Sequence, residues 1–412
     1  MRLPILQLAA RAMPLLIAAL PCAAWQWADR GEYDMALAVR QQPDAKARIE
    51  LIGQWKQKYP ASKFAVERAE LELAAALPAG DPAALHQAAA GLLAVAPESF
   101  NGLYWLTLLA PSAPDQSPAA LSRYESAARR LLPAAGQYFT GNAAAAPEGE
   151  KQRVLAAAHR TLGWVAWRRA NLDDARASLL ASLELDPARA DVSAWLGAML
   201  SSKATPEHQI EAVWRLARAS YLDGPGALVS TQRREVRSLL DAVYTAYRGS
   251  ADGLDAIGAQ TRDSLHPPAN FRIESAAEAA ERVWEEQMLQ ANPSLRPYLD
   301  LRKMLLGVVE ADLPNLINTT PLPRLRGTVL GCNEAVKATE IQLGITGQTT
   351  QEVLVKLDGP LPRCPDLGAS IELEGSLFAF TGEPFLITVT AARKAITAAQ
   401  AAPPPTGTPP AP

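Results

Sequence analysis

The chain has 412 residues, of which 49% are hydrophobic and 20% charged, and its formal net charge is −3. That is enough chain for two or three globular domains, each with its own core. The near-balance of charge gives no whole-chain basic field to draw in nucleic acid or an anionic membrane.

The N-terminus places Arg2 and Arg11 before an apolar run over 12–20, followed by Pro21-Cys22-Ala23-Ala24. Basic, apolar and small residues in that order predict a signal peptide over 1–24, cleaved after Ala24. The run falls short of the roughly 20 residues that a membrane span needs. No other stretch is apolar enough, so no stable span is expected after signal removal. Cys22 could be a lipid attachment site, but Pro21 stands where lipoprotein signals want a small residue. The mature chain is therefore expected outside the cytoplasm, periplasmic or associated with the cell envelope. Removal of the signal leaves two of the three cysteines, Cys332 and Cys364. An even pair in an exported domain predicts a disulfide, with two buried thiols as the alternative.

Residues 27–60 read as a helical pair, with Tyr33, Ala36, Leu37 and Val39 on the first helix and Ile49, Ile52 and Trp55 on the second. Gln41-Gln42-Pro43-Asp44 supplies the turn, and Tyr59-Pro60 the end. Residues 61–97 repeat the plan: Phe64 to Leu77, a turn at 78–82, then Ala83 to Ala96. Asp81 is the expected N-cap, with Pro82 at the first helical position. A third pair starts at Asn101–Leu109 and continues from about Pro118 to Leu132. Residues 133–150, rich in Ala, Gly and Pro, are expected to form a loop.

The clearest stretch is LGWVAWRRANLDDARASLLASLELDP, from Leu162 to Pro187. Leu162, Val165 and Ala166 form one apolar face at helical spacing, and Ala175, Leu179, Ser182 and Leu183 another. Gly163 and Ala175 are small enough for two helices to approach closely. Pro187 has no N–H and stops the second helix. The placement of Leu162-Gly163, Ala175 and Pro187 resembles a tetratricopeptide repeat, a helix-turn-helix unit of about 34 residues. The resemblance implies an α-solenoid that binds another protein or a peptide. By the layout of such repeats, Arg160, Trp164, Trp167 and Arg168 would face inward from the first helix. Two indoles and two guanidinium groups on one concave strip suit an extended, partly acidic or carboxylate-ended peptide. Packing of the tryptophans against a neighbouring helix is the competing expectation.

Another pair begins near Asp191, where Trp195-Leu196-Gly197 echoes Thr161-Leu162-Gly163, and ends at Gly224-Pro225. A helix over 230–250 is expected to cap the array. The repeat domain thus spans 25–250, followed by a helical connector over 251–319 with helices at 275–290 and 297–309. After Pro321 the period changes to alternation: 326–330, 341–346, 353–357, 371–374 and 385–389. Five strands separated by Gly, Pro and Asp turns predict a small all-β barrel or sandwich over 320–395, with an OB-like order. Phe378, Phe380 and Phe385 are expected in its core. The tail over 396–412 is Pro-rich and expected to be disordered.

No motif for nucleotide, metal-assisted or acyl-transfer chemistry is present. The four histidines, His86, His159, His208 and His266, are scattered, and His159 falls on a packing position of the repeat. Asp173-Asp174 opens a helix, where carboxylates favour the dipole. The expectation is a non-enzymatic interaction scaffold or assembly adaptor of the bacterial envelope. It would use a protein or peptide partner, no nucleic acid, and no metal or other cofactor. A small-ligand or glycan site in the β domain is the alternative.

Overall fold

The computed structural model describes residues 27–141, 149–307, 317, 322–347 and 349–398. The signal-peptide expectation over 1–24, with Cys22, lies outside them, as does the tail beyond residue 398. The chain divides into two compact units, Met1–Ser275 and Ala276–Pro412.

The first unit is a run of antiparallel helix pairs. In order these are α1 (Arg30–Gln41), α2 (Ala45–Lys58), α3 (Ala65–Ala79), α4 (Pro82–Val95), α5 (Phe100–Leu109), α6 (Pro118–Gly141), α7 (Glu150–Arg168), α8 (Leu172–Leu185), α9 (Ala190–Leu200), α10 (Pro206–Tyr221), α11 (Ser230–Arg248) and α12 (Leu254–Thr261). The starts follow from local chemistry. Asp29, Asp44, Asp81, Ser99 and Asn171 each accept a hydrogen bond from a backbone N–H of the helix they open. Gly80 and Gly249 end α3 and α11 in the left-handed region, at φ 69° and 86°.

Close approach within two successive pairs depends on glycine. A Cβ on Gly163 of α7 would lie 2.7 Å from Leu179 Cγ of α8, and one on Gly197 of α9 the same distance from Leu216 Cγ of α10. The main core runs from α3 to α10 and includes Leu73, Leu92, Leu131, Leu179 and Leu196. A second cluster joins α10, α11 and α12. Around it Arg218 donates to the carbonyls of Thr261 (2.6 Å) and Ser264 (2.8 Å), and Arg215 to that of Leu265 (2.8 Å). These bonds fasten the segment after α12 across the end of the array.

Two expectations need correction here. The segment after Leu132 is not all loop, because α6 continues through Pro133 to Gly141. Ala135 and Phe139 are buried, and Tyr138 stacks on Phe100 with ring centroids 4.0 Å apart. That packing outweighs the hydrogen bond lost at proline. The connector also contains α12, whose eight residues are too few to show a helical period.

The second unit holds α13 (Ala276–Ala291), α14 (Arg296–Leu306) and a seven-stranded sheet: β1 (Leu325–Cys332), β2 (Ala338–Gly344), β3 (Val353–Leu361), β4 (Ser370–Leu373), β5 (Ser376–Thr381), β6 (Leu386–Ala391) and β7 (Ile396–Ala398). The sheet order is β5-β6-β3-β2-β1-β4-β7. All pairings are antiparallel except β3 with β6, where Val353 pairs with Ile387. β4 on one side of the sheet and β5 on the other are separated only by Glu374-Gly375. They are two halves of one bent strand, so the sheet closes on itself into a barrel with the expected OB-like order. Gly375 is required at the bend: a Cβ there would lie 2.5 Å from the carbonyl oxygen of Thr390.

Leu325, Val329, Ile341, Leu343, Val353, Val355, Leu377 and Val389 fill the barrel together with Tyr298, Leu299, Leu301 and Leu305 of α14. A barrel interior is reachable only at its ends, so α14 plugs one of them. Glu352 lies at that end, accepting from the backbone N–H of Ile345 and Thr346 (both 2.6 Å) and from the Tyr298 hydroxyl (3.3 Å). Burial, and then Glu352, push the Tyr298 pKa up. Cys332 and Cys364 form a disulfide at the far end of β1, with Cα atoms 6.1 Å apart. Sequence alternation located five of the strands and missed β5 and β7. Phe378 of β5 is not core: it is 44% exposed, under the Lys356 ammonium. A bulge between Leu377 and Ala379 gives Leu377 the inward position. Ile396 of β7 pairs with Leu373, so the strand extends into the segment expected to be disordered. Among the described residues no helix is long and apolar enough to cross a membrane.

Candidate functional site

The strip expected to face a peptide lies on α7, and its four residues do not share one environment. α5 packs beside α7, and α8 leads from α7 to α9. The guanidinium of Arg160, only 5% exposed, donates to the carbonyl of Leu108 (2.8 Å) near the C-terminus of α5. It also lies 3.6 Å from the carboxylate of Asp191 in the first turn of α9. Next to it, Thr161 donates to the carbonyl of Thr107 at 2.8 Å. A cation satisfies the carboxyl end of one helix, and an anion complements the amino end of another. Arg160 thus bolts three helices together.

Charge is balanced around this bolt. Arg189 forms a two-pronged pair with Asp191, at 2.8 and 2.6 Å. Burial pulls the Arg160 pKa down to about 10, the neighbouring Arg189 adding to the effect. Burial opposes the Asp191 charge too, but Arg189 and Arg160 outweigh it and keep that carboxyl below its ordinary value. Burial, and then Glu150, raise the Tyr104 hydroxyl on α5. Arg189, Asp191 and Tyr104 did not stand out in the sequence. The only signal was Asp191 at a helix start, and its partners come from elements far away in the chain.

Trp164 is 5% exposed and packs against Tyr124 of α6, with ring centroids 6.2 Å apart. The expectation that it lies open to a partner is corrected. α5 has ten residues and α7 nineteen. Beyond Leu109 the chain turns through a 3-10 segment, Ala110–Ser112, that also touches α7. α7 thus runs longer than α5 and is packed by α6, by α8 and by this turn. Trp167 remains half-buried at the edge of the core, and Arg168 is exposed. The available part of the strip is Trp167 with Arg168. His159 is half-buried, and burial lowers its pKa.

No family model matches the sequence, and no curated protein matches it. Among solved structures the chain is similar to TTC0263, a thermophilic tetratricopeptide-repeat protein of Thermus thermophilus. The identity is 17% over 52% of this chain and 98% of that one, with a TM-score of 0.26. It is also similar to a MamA RS-1 ArsTM double mutant, at 14% identity over 52% and 98% of the two chains and a TM-score of 0.27. At this similarity the repeat character of the first unit rests on its own geometry: the serial antiparallel pairs and the glycine contacts repeated at Gly163 and Gly197.

Proposed function

We propose that the chain is a non-enzymatic protein-interaction scaffold whose helical unit holds a protein or peptide partner. The observation that carries this reading is the serial stacking of helix pairs, bolted from α5 through α7 to α9 by Arg160. Such an array presents an extended surface along successive helix pairs, which suits a polypeptide. Within it Trp167 offers apolar area and Arg168 a planar cation for a carboxylate, the two features of an interface anchor. The disulfide Cys332–Cys364 supports an oxidising compartment and so an exported protein. A role in the bacterial cell envelope follows from that support together with the signal-like N-terminal sequence.

The test is photo-crosslinking from position 167 in cells, with position 129 of α6 as the comparison. The expected outcome is one dominant protein adduct from position 167. Purified full chain should then bind that protein, and Trp167→Ala with Arg168→Ala should weaken the binding tenfold or more while lowering the melting temperature by less than Trp164→Ala does. Equal adducts from both positions, or unchanged affinity of the double variant, would reject the assignment.

A further inference from the structure

The second unit carries a groove beside β1 that the scaffold reading does not use. It encloses about 100 Å³ and is lined by Asn292 and Ser294 of the α13–α14 turn, by Arg324 just before β1, by Arg326 and Thr328 of β1, and by Ser370 of β4. Among the described residues no carboxylate lines it. Leu295, Tyr298, Leu325 and Ile345 supply its apolar surface. Ile345 reaches that position because residue 327 is glycine: a Cβ there would lie 2.8 Å from Ile345 Cδ1.

The two arginines are in different states. Arg324, just before β1, is held by Glu374, just after β4. Arg326 is half-buried, and its Nε donates to the Ser370 hydroxyl at 3.1 Å. That bond fixes the guanidinium plane. Among the described residues nothing bonds its two terminal nitrogens. Glu372 sits opposite Arg326 in the strand register, yet the two form no ion pair. The neighbouring donors converge on the same space. Thr328 and Ser370 are cross-strand partners, so their hydroxyls are adjacent. The Asn292 side-chain oxygen is taken by the Ser294 N–H (3.1 Å) and hydroxyl (2.6 Å), which leaves the Asn292 amide nitrogen as a donor. The lining therefore has donors and a cation, while the Asn292 side-chain oxygen and the Ser370 hydroxyl oxygen already accept from neighbours.

We propose that this groove is a binding site for a phosphate-type oxyanion, the phosphate group of a solute that extends into solvent. Arg326 supplies the charge and two donors, and Thr328 and Asn292 supply donors from two other directions. A planar carboxylate would be satisfied by the guanidinium fork alone, whereas donors from three directions match a tetrahedral group. The volume admits the head group and little more. The apolar floor lowers the local dielectric and strengthens the interaction with Arg326.

The experiment is equilibrium dialysis of the full chain against inorganic phosphate and, in parallel, acetate, at constant ionic strength. Saturable binding of one phosphate per chain is expected, with acetate at least tenfold weaker. Arg326→Gln should weaken phosphate binding tenfold or more. Arg326→Lys should recover part of the loss, and Arg30→Gln, at an exposed arginine of α1 in the helical unit, should leave phosphate binding unchanged. If Arg326→Gln melts early, Thr328→Val gives the same comparison with the charge intact, and a threefold or larger loss is expected. Non-saturable binding, wild-type affinity in both Arg326→Gln and Thr328→Val, or equal binding of acetate would each overturn the proposal.

Discussion

Leu179 of α8 occupies the space that a side chain on Gly163 of α7 would need. Its Cγ and Cδ2 would be 2.7 and 2.9 Å from a Cβ there, and its backbone nitrogen 3.0 Å away. The obstruction includes main chain, so rotation of the leucine cannot remove it.

Gly163→Ala should therefore destabilise the helical unit by about 1–3 kcal/mol, the usual cost of overpacking a tight contact. Gly91→Ala in α4 is the opposite case, since nothing lies within 4 Å of a Cβ there. It should stabilise by about 0.5–1 kcal/mol through helix propensity. Urea denaturation of the two variants should move the midpoint in opposite directions.

Trp164 and Trp167 are three residues apart and should behave differently. Trp164→Ala opens a cavity beside Tyr124 and should cost roughly 3–5 kcal/mol. Trp167→Ala removes a half-buried ring at the core edge and should cost less than half of that. Thermal melts of the two variants check the order. Equal losses would show that Trp167 is also a core residue.

These two tryptophans show where sequence was informative. Helix starts were legible because Asp81 and Pro82 are local signals, satisfied within two or three residues of themselves. The Gly163 contact was legible because a small residue at that spacing has one common use. The burial of Trp164 was not, because it depends on α5 stopping at Leu109 and on Tyr124 arriving from another helix. The α6 extension was misread because Pro133, Ala134 and Gly136 favour a loop locally, while Phe139 and Tyr138 hold the helix through tertiary contacts. β5 was not legible because Leu377, Phe378, Ala379 and Phe380 are apolar in succession and show no alternation, and a bulge after Leu377 breaks the period of two. Arg324 and Arg326 look alike in the sequence, yet Arg324 pairs with Glu374 and Arg326 pairs with no described carboxylate, a difference that only coordinates reveal.

Removing the disulfide should loosen the second unit alone. Its sequence separation is 32 residues, which in the chain-entropy account corresponds to roughly 3–4 kcal/mol. The Cys332→Ser/Cys364→Ser double variant should lower the melting transition of the β unit and leave that of the helical unit unchanged. Calorimetry resolving the two transitions checks this.

The helical unit should lose stability in mild acid. Burial lowers the pKa of His86, with Arg123 adding to it, and burial alone lowers that of His159. A histidine whose folded pKa lies below its unfolded value binds fewer protons when folded. Stability from this source is complete above the unfolded pKa, about 6.5, and declines as pH falls below it. Denaturation midpoints measured from pH 7.5 to 5.5 should fall, and the His86→Gln/His159→Gln variant should show a flatter profile over that window.

The bend at Glu374-Gly375 fixes two registers at once. β4 is zipped to β1, with Leu373 opposite Leu325, and β5 is zipped to β6, with Leu377 opposite Val389. A residue inserted at the bend would keep the first frame and advance the second by one position. Leu377 would then face solvent and its neighbour would face the lumen. The barrel could keep one seam or the other, and opening either would uncover a row of unpaired amides. Added length in the 333–337 hairpin would disturb neither frame. Tolerance to insertion in this unit is thus set by topology: free at the hairpin tip and absent at a bend of two residues.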